Sequence, residues 1–300
     1  MTTDAAAEIR AQALEVAAGW SPPDAPRSWA LTAALFRTIA AHEQLLGRLA
    51  GLPPGRLPAL LASGAISYLV RRDWPEPLAS YFPVPGPRAV QPALDDRFEP
   101  AARAFCSARL DDILAECAGR RYQMNEVARC TQIALGIAAL TAPAARAEPV
   151  ALADLGTGAG LGLHLDRYRY QVGGQVTGPA GAPLTLHCVP RGPLTPPPAA
   201  LPPIAERAGL DLHPVDVTDP AARAWLEACA PPEATALARL TAAIDVTRRH
   251  PVSLLAGNVL DLLPAVLAGF PPGRPVIVTD AYLAVFQSGR QREQLTRILA

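Results

Sequence analysis

The sequence contains no lysine, so arginine is its only permanently charged cationic side chain. A Schiff-base lysine and the lysine of a phosphate-binding P-loop are therefore excluded. The sequence also has no net charge at pH 7, because 27 basic residues balance 27 acidic ones, and the pI is near 7. Without a positive field, we expect neither a nucleic-acid partner nor attraction to acidic membranes. We expect a small-molecule substrate instead, and a homodimer is compatible with the sequence.

Paired cysteines are also missing, because the five cysteines are far apart and form no C-x-x-C motif. The spacing predicts reduced, mostly buried thiols and neither a disulfide framework nor a metal site. No stretch approaches the length of a membrane span, and the N-terminus has no basic segment followed by an apolar one. We therefore expect a cytoplasmic protein without a membrane-spanning segment.

Two patterns of apolar residues divide the chain. Helical periodicity runs through most of residues 1–147 and ends with a predicted helix over residues 121–142. From residue 148 onward, short continuous apolar runs alternate with helical segments, which favours a parallel sheet covered on both faces. We predict a helical N-terminal region over residues 1–147 and a Rossmann-like domain over residues 148–300. The four predicted strands are VALADL (150–155), AGLDLHPV (208–215), VSLLAG (252–257) and PVIVTD (275–280).

An insertion is predicted between the first two strands. QVGGQV and LTLHCV, separated by the turn GPAGAP, indicate a β-hairpin, and the proline-rich segment RGPLTPPPAALPP follows it. The fold class is therefore α/β, with a helical N-terminal region, a Rossmann-like sheet and an inserted β-hairpin.

The first predicted strand ends in a glycine-rich turn, DLGTGAG, that comprises Asp154, Gly156, Thr157, Gly158 and Gly160. A dinucleotide-binding G-x-G-x-x-G motif fails here, because counting from either of the first two glycines places leucine at the third glycine position. A P-loop fails because no Lys-Ser or Lys-Thr follows. Glycines at these positions allow a ligand to approach the backbone, and a carboxylate can accept a hydrogen bond from an ammonium group. A purely structural tight turn is the alternative.

The D-x-G-x-G-x-G pattern resembles the first motif of class I S-adenosylmethionine-dependent methyltransferases. The resemblance implies that these five residues bind S-adenosyl-L-methionine. It continues at AGLDLHP, where Asp211 matches the acid that receives the two ribose hydroxyls. Asp211 follows the first aspartate by 57 residues, far more than the usual gap of about 20, so the insertion must absorb the excess, or Asp216 or Asp219 serves instead.

The later strands extend the resemblance. GNVLDLLP is similar to the third-strand segment, which implies that Asn258 and Asp261 flank the adenine, although Asn258 as a helix cap is an equal alternative. PVIVTDAYLAVF is similar to the fourth strand and its following loop, which implies catalytic roles for Asp280 and Tyr282 at the sheet edge. A class I methyltransferase sheet has about three further strands, and we expect this chain to lack them.

The segment NEVARC precedes the first strand. On a helix, Asn125 and Arg129 would share one face, and the resemblance implies that they contact the cofactor carboxylate, for which an arginine fork is suited. A solvated face with Glu126 paired to Arg129 is the alternative. Together with LDRYRYQVGG and AGLDLHPVDVTDPAARAWL, this segment resembles a bacterial family of unknown function related to class I methyltransferases, from about residue 98 onward.

Tyrosine and arginine alternate in DRYRY, which predicts an extended strand with Tyr168 and Tyr170 on one face. Near a sulfonium ion, these tyrosines would stabilise the cation and orient a nucleophile, so they are candidate catalytic residues. Packing across the hairpin is an equal alternative.

Three functions follow as hypotheses. The first is methyl transfer from S-adenosylmethionine to a small molecule. In the second, the amine of S-adenosylmethionine attacks its own carbon next to sulfur, which forms azetidine-2-carboxylate and methylthioadenosine. The third is a non-catalytic Rossmann-like binding protein.

Overall fold

The computed structural model contains two compact units. The helical unit comprises Met1–Met124 and Pro220–Thr241, and the sheet unit comprises Asn125–Asp219 and Ala242–Ala300. The boundary predicted at residue 147 falls in a segment, residues 142–147, that lies outside the described residues. The structure describes residues 2–53, 55–86, 88–141, 148–191 and 201–300.

The helical unit packs amphipathic helices around one apolar core. Ile39, Leu61, Ile66 and Phe98 are almost fully buried in this core, and Trp225 joins it from the later segment. The Trp225 indole donates a hydrogen bond to the Arg121 carbonyl (2.7 Å), so its one polar atom is satisfied in the interior. The helices are α1 (Thr2–Gly19), α2 (Ala30–Ala41), α3 (Glu43–Leu49), α4 (Pro58–Asp73), α5 (Phe98–Ala108), α6 (Leu110–Gly119), α8 (Pro220–Cys229) and the first half of α9 (Ala234–Arg249).

The sheet unit contains a four-stranded parallel sheet in the order β6-β5-β1-β7. The central strand β1 is buried at every residue, which fits a strand that reads as one continuous apolar run. The mixed α/β class and the parallel sheet are confirmed. The strands are β1 (Val150–Leu155), β5 (Ile204–Asp211), β6 (Ser253–Ala256) and β7 (Val276–Asp280), and α10 (Val259–Gly269) and α11 (Gly289–Leu299) follow β6 and β7.

The insertion between β1 and β5 forms its own small sheet. A 3-10 helix, Leu161–Arg167, leads into β2 (Arg169–Val172), which pairs antiparallel with β3 (Gln175–Thr177) and parallel with β4 (Thr185–Cys188). The inserted β-structure is confirmed, but the predicted pairing of QVGGQV with LTLHCV across the turn GPAGAP is wrong. The hairpin lies within the first of these segments, as β2 and β3, and β4 in LTLHCV pairs parallel with β2 to complete a three-stranded sheet. Of the predicted proline-rich connection, residues 192–200 lie outside the described residues.

The helix predicted over residues 121–142 is wrong in its first part. Helix α7 is Arg129–Thr141, and residues 121–126 are irregular. The Glu126 carboxylate accepts a hydrogen bond from the Ala128 amide (2.9 Å), a local bond that competes with helical pairing. Asn125 and Arg129 therefore do not share a helix face.

Among the described residues, no helix is long and apolar enough to cross a membrane.

Candidate functional site

The four parallel strands of the sheet end at one edge, which we call the carboxyl edge. It is formed by the residues at or just after the strand ends: Asp154, Asp211, Asn258 and Asp280. Ligands of open α/β sheets bind at this edge. Although 57 residues separate Asp154 from Asp211, β1 and β5 pair directly, with Asp154 opposite Gly209. The insertion therefore absorbs the excess sequence, as the alignment with the methyltransferase pattern required.

The glycine-rich turn after β1 has three residues in the left-handed region, with φ of +69° at Gly156, +56° at Gly158 and +72° at Gly160. Only glycine adopts these angles without strain. Each of the five amides from residue 156 to residue 160 has an acceptor within the protein. The turn, all of which the structure describes, thus has no amide left for a phosphate. The acceptors are the carbonyl of Leu210, which receives two amides, the carboxylate of Asp211, the side chain of Asn125 and the carbonyl of Thr157.

The space beside Gly158 is filled by Asn125. The Asn125 side-chain oxygen accepts a hydrogen bond from the Ala159 amide (3.2 Å). A Cβ added at Gly158 would lie 2.5 Å from that oxygen. Beside Gly156, the Leu283 side chain would lie 3.2 Å from an added Cβ. The glycines therefore let protein side chains approach the backbone, and Asn125 occupies the turn itself, a contact that the sequence did not predict.

Asp211 is held in a fixed orientation at the end of β5. One carboxylate oxygen accepts from the Gly158 amide (2.9 Å) and the other from the His213 amide (2.8 Å). The residue is partly exposed, and an ionised carboxylate has lone pairs for about four hydrogen bonds. Asp211 can therefore accept two further donors from a ligand. Asp216, the alternative, instead accepts from the amide and hydroxyl of Thr218.

Asp154 is buried beneath the turn and does not face solvent. The Thr279 hydroxyl donates to its carboxylate (2.7 Å). Burial raises the pKa of Asp154 to about 6, the Thr279 hydrogen bond partly offsets this, and the charges of Asp280 and Asp211 raise it further. The structure thus places Asp154 where it links the ends of β1 and β7, not where a ligand ammonium would reach it.

The end of β7 carries an exposed acid and an exposed aromatic ring. The Asp280 carboxylate accepts from the Leu283 amide (2.7 Å) and fixes the loop that follows. Tyr282 is 41% exposed, and the Arg129 guanidinium lies 4.4 Å from its ring centroid, a cation–π contact. Arg129 forms no ion pair with any residue that the structure describes, so it can receive a carboxylate from a ligand.

The two candidates after β6 differ in their contacts. The Asn258 side chain accepts from the Leu260 amide (3.0 Å) and caps α10, which is the alternative that the sequence offered. Asp261 lies exposed in the first turn of the same helix. Both are at the carboxyl edge beside the edge strand.

Tyr168 and Tyr170 are buried, with their hydroxyls bonded to the backbone. The Tyr168 hydroxyl donates to the Leu161 carbonyl (2.8 Å) and the Tyr170 hydroxyl to the Leu165 carbonyl. Burial raises the pKa of both phenols. The predicted alternation is present, since Arg167 and Arg169 are partly exposed. The structure places both tyrosines as packing residues of the insertion and does not bring their hydroxyls to a ligand-accessible surface.

Sequence reasoning missed Gly209 as part of this site. A Cβ at Gly209 would lie 2.6 Å from the Thr157 methyl group and 2.7 Å from Leu254. Glycine within a strand signals a close approach of this kind, so the signal was present in AGLDLH. Within the described part of the chain, no group of histidine, cysteine and acidic side chains could hold a metal ion.

Comparison with known proteins yields one match. The model of the family described as "Uncharacterized protein conserved in bacteria (DUF2332)" matches residues 8–300. No curated protein and no solved structure matches the chain. The resemblance to a bacterial family of unknown function is thereby confirmed, and the relation to class I methyltransferases stays a prediction.

Proposed function

The chain belongs to this family of uncharacterized bacterial proteins, and we propose from its carboxyl edge that it binds S-adenosylmethionine and transfers the methyl group to a small molecule. The observation that carries the proposal is the glycine-rich turn of β1 joined to Asp211 of β5 by the hydrogen bond from the Gly158 amide.

The strand order supports a nucleoside site. Numbered along the chain within this sheet, the order β6-β5-β1-β7 is 3-2-1-4, which is the order of the first strands in doubly wound nucleotide-binding folds. In such sheets, the second and third strands lie on one side of the first strand and the fourth lies on its other side. The ligand-binding crevice is at the carboxyl ends of the strands, beside the first strand where the order switches. Here that position lies between the glycine-rich turn and the loop with Asp280 and Tyr282.

The polar groups at this edge suit a cationic nucleoside better than a phosphate-bearing one. The amides of the turn are already satisfied, and the side chains that face outward are the carboxylates of Asp211 and Asp280. Two carboxylates repel the phosphates of NAD or ATP. S-adenosylmethionine carries a sulfonium and an ammonium group, which carboxylates attract, and two ribose hydroxyls, which donate hydrogen bonds to carboxylates. Its single carboxylate can pair with Arg129, which has no ion partner among the described residues. The residues present therefore fit this cofactor.

When bound, S-adenosylmethionine supplies an electrophilic methyl group on sulfur. The contribution of the chain is binding and orientation, because methyl transfer needs in-line positioning more than acid–base help. Asp211 accepts from hydroxyl donors, Arg129 binds a carboxylate, and Asp280 holds the loop that carries Tyr282. Tyr282 offers an exposed phenol beside this crevice for contact with the acceptor.

Calorimetric titration tests the proposal. We expect S-adenosylmethionine and S-adenosylhomocysteine to bind, and NAD and ATP not to bind at the same concentrations. Asp211→Asn should weaken binding by about tenfold or more, since a hydrogen bond to a charged group is worth about 1.5–3 kcal/mol. Asp245→Asn is the control, because Asp245 is a half-exposed acid on α9 whose ion partner, Arg248, lies 4.0 Å away. Absence of binding by the wild type would identify the turn as a packing device and overturn the proposal.

The products then separate transfer from cyclisation. If methylthioadenosine forms from S-adenosylmethionine without an added acceptor, the reaction is ring closure and not methyl transfer. The hydroxyls of Tyr168 and Tyr170 donate to backbone carbonyls in the interior and are not available to assist ring closure, so we expect none. S-adenosylhomocysteine formed only when a methyl acceptor is added is the expected result.

A further inference from the structure

A second recess lies at the opposite edge of the sheet. It has a volume of about 680 Å³ and is lined entirely by residues of the sheet unit. Ile204, the first residue of β5, and His250, which precedes β6, mark its position at the amino-terminal ends of the strands. The insertion forms the other side, through Arg167 and the loop between β3 and β4. We call it the amino-edge recess.

Positive charge is concentrated in this recess. Arg167, Arg207 and Arg249 line it, against the single carboxylate of Asp166. The chain as a whole has no net charge, so the local excess is not a consequence of general basicity. The amino-edge recess therefore differs in sign from the carboxyl edge.

Only one of the three arginines is neutralised. Arg207 forms a bidentate pair with Asp166, with distances of 2.8 and 2.7 Å, and also donates to the Leu163 carbonyl. Arg167 and Arg249 have no ion partner among the residues that the structure describes, and the Nε atom of Arg167 is buried without an acceptor. A buried donor without an acceptor costs about 1–3 kcal/mol. The guanidinium of Arg167, which is partly exposed, thus has no anionic group of the described residues paired with it.

A buried histidine lies behind the recess. His164 is fully buried, with both ring nitrogens unpartnered among the described residues, and its ring centroid is 6.4 Å from that of His250. Burial, followed by the charges of Arg207 and Arg167, lowers the pKa of His164 to about 4. His164 therefore adds no charge of its own to that of the arginines.

We propose that the amino-edge recess binds a small organic phosphate monoester through Arg167 and Arg249. Two guanidinium groups offer paired N–H donors in the fork geometry that matches phosphate oxygens. The volume exceeds what an inorganic ion needs and lies within the range of small-molecule sites. The organic part of the ligand would pack against the apolar wall. That wall consists of Pro179, Pro183, Pro203, Ile204 and Val246.

Calorimetry at low ionic strength with phenyl phosphate as the probe tests this proposal. We expect the wild-type chain to bind phenyl phosphate and to bind phenol not at all. The double variant Arg167→Gln with Arg249→Gln should bind at least about tenfold more weakly. Arg248→Gln is the matched control, because Arg248 is the exposed neighbour of Arg249 on α9 and does not line the recess. Its affinity should equal that of the wild type.

A gain of affinity separates binding from damage to the fold. Asp166→Asn removes the one carboxylate of the recess and frees Arg207, so phenyl phosphate should bind more tightly. A merely destabilised protein would not gain affinity. The proposal is overturned if the wild type does not bind phenyl phosphate, or if benzoate binds as tightly as phenyl phosphate. It is also overturned if Arg248→Gln weakens phenyl phosphate binding as much as the double variant does, or if Asp166→Asn does not tighten phenyl phosphate binding. None of these outcomes depends on S-adenosylmethionine binding.

Discussion

Replacement of Gly158 by alanine should destabilise the glycine-rich turn for two separable reasons. The residue has φ of +56°, and an L-residue in the left-handed region costs about 1–2 kcal/mol. The new Cβ would also lie 2.5 Å from the Asn125 side-chain oxygen. Asn125 must then move away and leave the Ala159 amide unpaired, which costs about 1–3 kcal/mol. We expect a total loss of about 3 kcal/mol.

Two further variants separate the causes. Gly273 has φ of +78°, with nothing within 4 Å of an added Cβ, so Gly273→Ala should lose only the 1–2 kcal/mol of backbone strain. Asn125→Ala removes the obstructing oxygen. In that background, Gly158→Ala should again cost only the strain, which gives a coupling energy between the two sites of about 1–3 kcal/mol.

Hydrogen exchange is the appropriate measurement. All four tryptophans lie in the helical unit, so tryptophan fluorescence reports on the wrong unit. Native-state exchange gives the free energy of local opening, followed in peptides over residues 150–165 for the Gly158 and Asn125 variants and over residues 268–280 for Gly273→Ala. If Gly158→Ala costs no more than Gly273→Ala, or costs the same with and without Asn125, the packing argument is refuted.

Two other substitutions test buried polar groups. The pKa of Asp154 is raised from an ordinary 3.8 to about 6, so the native state holds its proton more tightly than the unfolded state does, and the wild type should lose about 3 kcal/mol as pH rises from 4 to 7. Asp154→Asn removes this pH dependence. Calorimetric melting curves should therefore show that the Tm of the variant rises relative to that of the wild type as the pH increases from 4 to 7. A Tm difference that does not change with pH would contradict the raised pKa of Asp154. Tyr168→Phe leaves the Leu161 carbonyl unpaired in the interior and should destabilise the insertion by about 1–3 kcal/mol, measured by exchange in peptides over residues 161–172. The affinity of the folded variant for S-adenosylmethionine, the proposed ligand, should not change.

The strands could be predicted wherever the chain reads as a continuous apolar run. β1 has the predicted bounds, and β6 and β7 lie within one residue of theirs at each end. β5 spans Ile204–Asp211, so both its start and its end lie four residues before the predicted bounds of 208–215. The start was missed because Glu206 and Arg207 interrupt the apolar run. In the fold, Glu206 pairs with Arg274 (3.4 Å) and Arg207 with Asp166. Partners so distant in sequence cannot be read from a local pattern.

The candidate site was predictable in its backbone and less so in its side chains. The D-x-G-x-G-x-G spacing indicated a glycine-rich turn at the end of β1, and the structure has one, with all three glycines in the left-handed region. The same spacing did not reveal that Asn125 and Leu283 fill the space beside these glycines. It also did not reveal that Asp154 is buried under the turn, because burial depends on Thr279, which is 125 residues away.

The two proposed sites belong to opposite edges of one sheet, and their charges have opposite signs. Asp211 and Asp280 make the carboxyl edge acidic, whereas Arg167 and Arg249 make the amino edge basic. Strands of five or six residues separate the edges by about 17–20 Å, which is roughly twice the screening length of physiological salt. The charges at one edge therefore have little effect on the electrostatic potential at the other edge. The two proposals together therefore predict that a cationic nucleoside is repelled by the amino edge and an anionic phosphate by the carboxyl edge, so neither ligand should compete for the other's site.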